Sequence, residues 1–227
     1  MTPQPLKLEA TWLRLGAAFR VGPRAAVRQH GAVRRQSDGT YKQMGEKVAI
    51  DLDEIHIESE RLSIRPFSAD DADAAFRCIT PSLTRFMSWD PPASREDFDR
   101  IWQGWLPTIA DGTDFVFASR QRRDGSFLGL VGLHRVRNTI PELGIWIRED
   151  CHKQGFGREA VGLVARWASL ALGIESFAYP VAEENSPSRR IAESLGGVIV
   201  ERRETPKYMS VIYRIPQQLT RDEMGKI

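Results

Sequence analysis

The chain has 227 residues, 41% hydrophobic and 27% charged, with a formal net charge of +2 at pH 7. That length holds one generous domain or a domain with an extension, and the near-neutral balance makes no global case for a nucleic-acid partner. No apolar run reaches the roughly 18–20 residues needed to cross a bilayer, so no membrane partner is expected. Cys78 and Cys151 are the two cysteines; they form neither a disulfide framework nor a metal-ligand spacing. A reducing, cytoplasmic setting without a bound metal is expected.

Charge is uneven along the chain. Residues 1–50 carry nine Lys/Arg against three Asp/Glu, and the remainder carries 23 against 27. Leu8, Trp12, Leu15 and Phe19 have the spacing of a short amphipathic helix, which Gly22-Pro23 would end. The Arg-rich run after it has the composition of a targeting segment. The plainer reading of residues 1–54 is a basic extension, flexible or loosely docked, with a weak nucleic-acid contact as the alternative.

From Ile55 the pattern changes, and residues 55–216 read as one domain. Residues 60–67 predict a strand with Leu62, Ile64 and Pro66 on one face. Ser68 then caps a helix over 69–79 whose first turn is rich in Asp. A linker at 87–92 precedes a second helix from Ser94 to about Ile109, carrying Phe98, Ile101, Trp102 and Trp105 on one side. Strands follow at 115–120 and 127–136 around the turn Arg123-Asp124-Gly125-Ser126. After a central strand at 142–147 and a central helix come a strand at 176–181 and a helix capped by Ser186 with Pro187 at its first position. Gly196 stops that helix, and 198–203 and 209–215 are expected to close the domain as an antiparallel pair of strands. Residues 217–227 form a polar tail.

Residues 142–172 organise the domain. Leu143, Ile145 and Ile147 alternate with Gly144 and Trp146, the period of a half-buried strand. Beyond Gly157, Ala160, Val164, Trp167 or Ala168, and Ala171 fall at helical spacing, and Gly173 supplies the stop. Between them lies His152-Lys153-Gln154-Gly155-Phe156-Gly157-Arg158. Two glycines allow a turn whose backbone N–H groups converge at the positive end of the following helix, and Lys153 and Arg158 add full charges. Such a loop suits a pyrophosphate. It is not a P-loop, since no Gly-Lys-Ser/Thr follows, nor a full Gly-x-Gly-x-x-Gly fingerprint.

This run resembles motif A of the GNAT superfamily of acyl-coenzyme A N-acyltransferases, whose loop reads Arg/Gln-x-x-Gly-x-Gly/Ala, with His152 at the Arg/Gln position. Glu142-Leu143-Gly144-Ile145-Trp146-Ile147, the loop with Glu159-Ala160 after it, and Asn185-x-x-Ser188 leading to Glu193-Ser194-Leu195-Gly196-Gly197 together resemble the branch of ribosomal-protein N-terminal (RimJ/RimL-type) acetyltransferases. Ile145 replaces a Tyr of that branch and Gly197 its final Phe. The resemblance covers about residues 58–215. It implies a mixed α/β (α+β) fold, with a mostly antiparallel sheet of about six or seven strands splayed at the cofactor site and about four flanking helices. It also implies that acetyl-coenzyme A enters the gap, its pantetheine pairing with backbone groups of Ile145 and Ile147 and its pyrophosphate resting on N–H groups from about 152 to 158. By the same analogy the Ile147 N–H is the oxyanion donor.

An amine attacking a thioester must be neutral, and the departing thiolate gains from a proton donor. Strand alternation puts Glu142 opposite Leu143, Ile145 and Ile147, toward the expected substrate cleft, as candidate base. Ser188, at the end of the stripe Ile191, Ala192 and Leu195, is the candidate donor to the thiolate, with Asn185 positioning the cofactor or a water. Against these stand blander roles: an Arg-paired carboxylate, a helix-start serine bonded to local backbone, and a turn asparagine. Cys151 has no readable activating neighbours, His134 reads as a packed strand residue, and Trp89, Trp102 and Trp105 either line an acceptor pocket or fill the core. The expectation is an N-acetyltransferase acting on a primary amine, with a second copy as a further candidate partner. A non-catalytic acyl-coenzyme A sensor with a basic arm is the rival.

Overall fold

The computed structural model describes residues 33–35, 41–43, 52 and 55–220. The backbone divides into a unit over Met1–Asp51 and a second over Leu52–Ile227. In the first, β1 (Val33–Arg35) and β2 (Tyr41–Gln43) pair antiparallel. The helix predicted around Leu8 to Phe19 lies outside the described residues, as does the end of the tail.

The second unit is built on an eight-stranded sheet. Its strands are β3 (Ile57–Glu58), β4 (Leu62–Pro66), β5 (Phe115–Gln121), β6 (Phe127–His134), β7 (Glu142–Ile147), β8 (Ser176–Ala182), β9 (Val198–Glu204) and β10 (Met209–Pro216). They lie in the order β3-β4-β5-β6-β7-β8-β10-β9. Every pairing is antiparallel except β7 with β8. The fold is the expected mixed α/β one, with β3 as a short added edge strand.

The helices preceding β5 are more broken than their hydrophobic spacing suggests. Ser68 opens a capping box with Asp71, and a 3-10 turn there runs into α1 (Ala72–Cys78). Thr80 caps a single turn, α2 (Pro81–Thr84), ahead of the 87–92 linker, a turn that the hydrophobic spacing did not signal. The predicted helix at 94–109 is two, α3 (Arg95–Gln103) and α4 (Trp105–Ala110). Pro107 explains the break: it has no N–H for the Gln103 carbonyl, and its ring crowds that carbonyl. Trp102 and Trp105 pack on Phe67, Phe98 and their neighbours, with Phe67 and Trp105 ring centroids 5.2 Å apart at 82°. Phe67, Phe98 and Trp102 are core, and Trp105 is half-buried against them.

On the other layer, α5 (Phe156–Leu172) and α6 (Ser186–Ser194) follow β7 and β8. Ala160, Val161, Val164, Ala165 and Ala168 of α5 are fully buried, as the helical stripe requires. Gly173 closes α5 in the left-handed conformation. Asp71 is fully buried and ion-paired with Arg65 of β4 and Arg120 of β5, which ties the start of α1 to the sheet.

Candidate active site

The sheet opens between β7 and β8. The Arg148 N–H donates to the Leu128 carbonyl at 2.8 Å. With Gly129 opposite Ile147, even-numbered residues of β7 therefore exchange bonds with β6, and the N–H and C=O groups of Leu143, Ile145 and Ile147 face β8. On β8, the Ala178 N–H donates to Pro141 and the Glu183 N–H to Met209, both at 2.8 Å. Even-numbered residues of β8 thus face β7. The two strands pair in register only at Glu142 and Ala178. The next β8 residue facing β7 is Pro180, which has no N–H to give. The ladder stops there, leaving the inward backbone groups of Ile145 and Ile147 along a gap.

At the far end of β7 the glycine loop turns into α5. Lys153 (φ 62°) and Gly155 (φ 82°) both adopt the left-handed conformation. No side chain caps α5, and among the described residues no backbone acceptor takes the N–H groups of Gly155, Phe156, Gly157 and Arg158. These are the orphan donors of a helix start, backed by its dipole. Gly157 is small for a reason: a Cβ there would lie 3.1 Å from Ile191 Cδ1 and 3.7 Å from Ile147 Cγ1. Lys153 and Arg158 are exposed beside the loop.

Long-range braces hold this loop. Arg61, just before β4, pairs with Glu159, donates to the Gln154 carbonyl at 3.1 Å and lies 4.8 Å from the Phe156 ring centroid. His152 Nε2 is 2.7 Å from the Ile147 carbonyl oxygen, so that side chain fastens the loop to the end of β7. Gln154 Nε2 donates to the Asp150 carbonyl at 3.3 Å.

Ile145 Cδ1 and Ile147 Cγ1 face Gly157 of α5, so Glu142 projects from the opposite face, as alternation predicts. Its Oε2 is 3.2 Å from Arg135 Nη1. Tyr208 is beside it; burial first, and then the Glu142 charge, push the Tyr208 phenol up. Lys207 Nζ donates to Asp90 Oδ1 at 2.8 Å and to the Trp89 carbonyl at 3.0 Å, pinning the β9–β10 turn to the segment between α2 and α3. Arg135, Tyr208 and Lys207 carried no motif signal. Their importance comes from turns brought together only by folding.

Ser188 lies on the first turn of α6, its Oγ 2.8 Å from the Tyr179 hydroxyl. Asn185, rather than Ser186, is the cap of α6: its Oδ1 accepts from the Ser188 N–H at 3.3 Å. An amide side chain reaches the third helical N–H, and Ser186 is already inside the helix.

Burial pushes both cysteine thiols up, Cys78 and Cys151 alike, which is the wrong direction for a nucleophile at neutral pH. His134 is buried, with Nδ1 3.3 Å from Asp114. Among the described residues no group of three His, Cys, Asp or Glu could hold a metal ion, and no helix is long and apolar enough to cross a membrane.

Comparison with known proteins agrees with this geometry. The model of the acetyltransferase (GNAT) domain matches residues 61–198. YoaA of Bacillus subtilis, described as an uncharacterized N-acetyltransferase, is 23% identical over 143 residues, covering 62% of this chain and 81% of that protein. RimL, a ribosomal L7/L12 alpha-N-protein acetyltransferase solved in complex with coenzyme A, superposes with a TM-score of 0.65 at 15% identity, over 72% of this chain and 98% of the other. Spermidine N-acetyltransferase from Vibrio cholerae, in complex with coenzyme A and spermine, gives 0.61 at 18% identity, over 70% and 97%. With the family model spanning more than half of its residues and the sheet parted beside an uncapped glycine loop, the chain belongs to the GNAT acetyltransferases and is an acyltransferase.

Proposed function

We propose that this protein transfers an acetyl group from acetyl-coenzyme A to a primary amine, on a protein N-terminus or a small molecule, by direct attack in a ternary complex. The parting of β7 from β8, beside the N–H groups of Gly155 to Arg158 that meet no backbone acceptor among the described residues, carries the reading. The coenzyme's diphosphate rests on the N–H groups of Gly155 to Arg158, with the charges of Lys153 and Arg158 beside it and His152, Gln154 and Phe156 shaping the loop. The pantetheine arm adds to β7 through the inward groups of Ile145 and Ile147. Asn185 positions this side of the site by fixing the start of α6. RimL and the spermidine enzyme, both solved with coenzyme A, support the placement by their shared fold.

In the reaction the amine nitrogen bonds to the thioester carbonyl carbon, and the carbon–sulfur bond breaks. An inward N–H of the β7 edge donates to the developing oxyanion; Ile147, the donor expected by analogy, lies about 16 Å along the strand from Glu142, at the diphosphate end. Glu142, held by Arg135, takes the proton that the amine loses, through a water. Ser188 donates to the departing sulfur, and the proton it gives up returns from solvent, so protons lost and gained balance. The catalytic unit is residues 55–216, and the cytoplasm is the setting.

Free-thiol release from acetyl-coenzyme A across a panel of amines and N-terminal peptides tests the reading. Amine-dependent release is expected. Tight coenzyme binding with no release on any acceptor would instead favour an acyl-coenzyme A sensor.

A further inference from the structure

Tyr179 is among the most buried large side chains of the protein, at 2% exposure. Alternation along β8 turns it with Phe177 and Val181 toward α6. Its hydroxyl has one partner among the described residues, Ser188 Oγ at 2.8 Å. Each of these hydroxyls carries one proton, so the bond can run in two senses. Were Ser188 the donor, the phenol proton would be left in a buried site with no acceptor, a costly arrangement. With Tyr179 as donor, both protons are used: the phenol's on Ser188, and the serine's on whatever lies beyond it. Burial pushes the Tyr179 phenol up to about 12, so it keeps its proton throughout the working range.

Ser188 is held from two sides. Asn185 Oδ1 accepts from its backbone N–H, and among the described residues its hydroxyl donates to no backbone carbonyl. A serine on the first turn of a helix ordinarily has local acceptors to satisfy it. This one is half-buried, and its recorded partner is a phenol from the strand that borders the gap.

We propose that Tyr179 is the positioning residue for the leaving group: its hydroxyl donates to Ser188 Oγ and turns the serine proton toward the gap, where the coenzyme's sulfur departs. The inference rests on Ser188 being the donor to sulfur. A donor already accepting a hydrogen bond is itself a stronger donor, so the pair acts in series. Tyr179 touches neither substrate.

Coenzyme A itself is the probe. The ultraviolet absorbance of its thiolate, followed against pH in the complex, reads how strongly the site donates to the sulfur. In the wild-type complex the thiol is expected to ionise at lower pH than in free coenzyme A. Ser188→Ala should raise that midpoint by roughly one to two pH units, the loss of one hydrogen bond to an ionised group, and Tyr179→Phe, which leaves the serine hydroxyl present but unaligned, should raise it by a smaller amount. The double variant should shift no further than Ser188→Ala alone.

A Tyr179→Phe midpoint equal to wild type, or shifts that add in the double variant, overturns the positioning role while leaving Ser188 in place. An unshifted Ser188→Ala complex removes Ser188 from the leaving-group side and the Tyr179 role with it. Because Tyr179→Phe also perturbs a packed site, 3-fluorotyrosine at position 179 supplies a test that keeps the shape. Its more acidic phenol should lower the midpoint, a direction that loosened packing does not produce; an unchanged or raised midpoint counts against the proposal.

Discussion

At the scale of single residues, the site separates groups that act from groups that hold them. Glu142 projects from β7 away from α5 and is anchored by Arg135. Glu142→Gln keeps the shape and removes the base, so kcat should fall by about 100-fold or more while the KM for acetyl-coenzyme A stays close to wild type, as steady-state kinetics would show. Cys151 behaves differently. Its thiol is raised by burial, and a ternary complex needs no covalent acyl-enzyme. Cys151→Ala should therefore retain wild-type turnover, and no acetylated protein should appear by mass spectrometry when acetyl-coenzyme A is supplied without acceptor. Loss of turnover, or a trapped acetyl group, would point to a ping-pong route.

At the scale of elements, the gap and the loop depend on backbone chemistry more than on side-chain charge. Pro180 is placed where β8 would next donate to β7, toward the inward-facing carbonyl of Leu143. Pro180→Ala restores that N–H and lets the ladder advance by one bond. Coenzyme A should then bind about 10-fold more weakly by calorimetry, as closure competes with the ligand for the same strand edge. Equal affinity would show that the splay has another cause. Asp71 acts between elements: it closes the capping box at Ser68 and pairs with Arg65 and Arg120 while fully buried. Asp71→Ala leaves two guanidinium groups without their shared partner and should cost about 3 kcal/mol in urea unfolding.

For the molecule as a whole, several carboxyls are held below their ordinary range by hydrogen bonds of the folded state. Arg95 does this for Asp73 and Asp99, Ser94 for Asp97, and Thr80 for Glu149. Folding binds these groups in their charged form. The stability they add is therefore present above their unfolded values and lost as pH falls through the folded ones. Urea midpoints should stay level from neutrality down to about pH 5 and then decline steadily. A midpoint that rose on acidification would contradict these pairings.

Local pattern alone carried much of this protein. The alternation from Glu142 to Ile147, the stripe of α5 and the glycines at 155 and 157 are short-range features, set by strand and helix periods and by the conformations open to glycine. They located the loop, the central strand and the order of elements, and the face on which Glu142 stands. The break between α3 and α4 was also written locally, in Pro107, but hydrophobic spacing masked it. Other features belong to tertiary structure. Arg61 braces a loop 98 positions away through Glu159, Lys207 reaches Asp90 across 117, and Arg135 meets Glu142 across a turn. Tyr179 finds Ser188 only once α6 folds back on β8, which also shows the capping duty to lie with Asn185. No local preference encodes such pairings, because each depends on chain segments that approach one another only when the sheet is assembled.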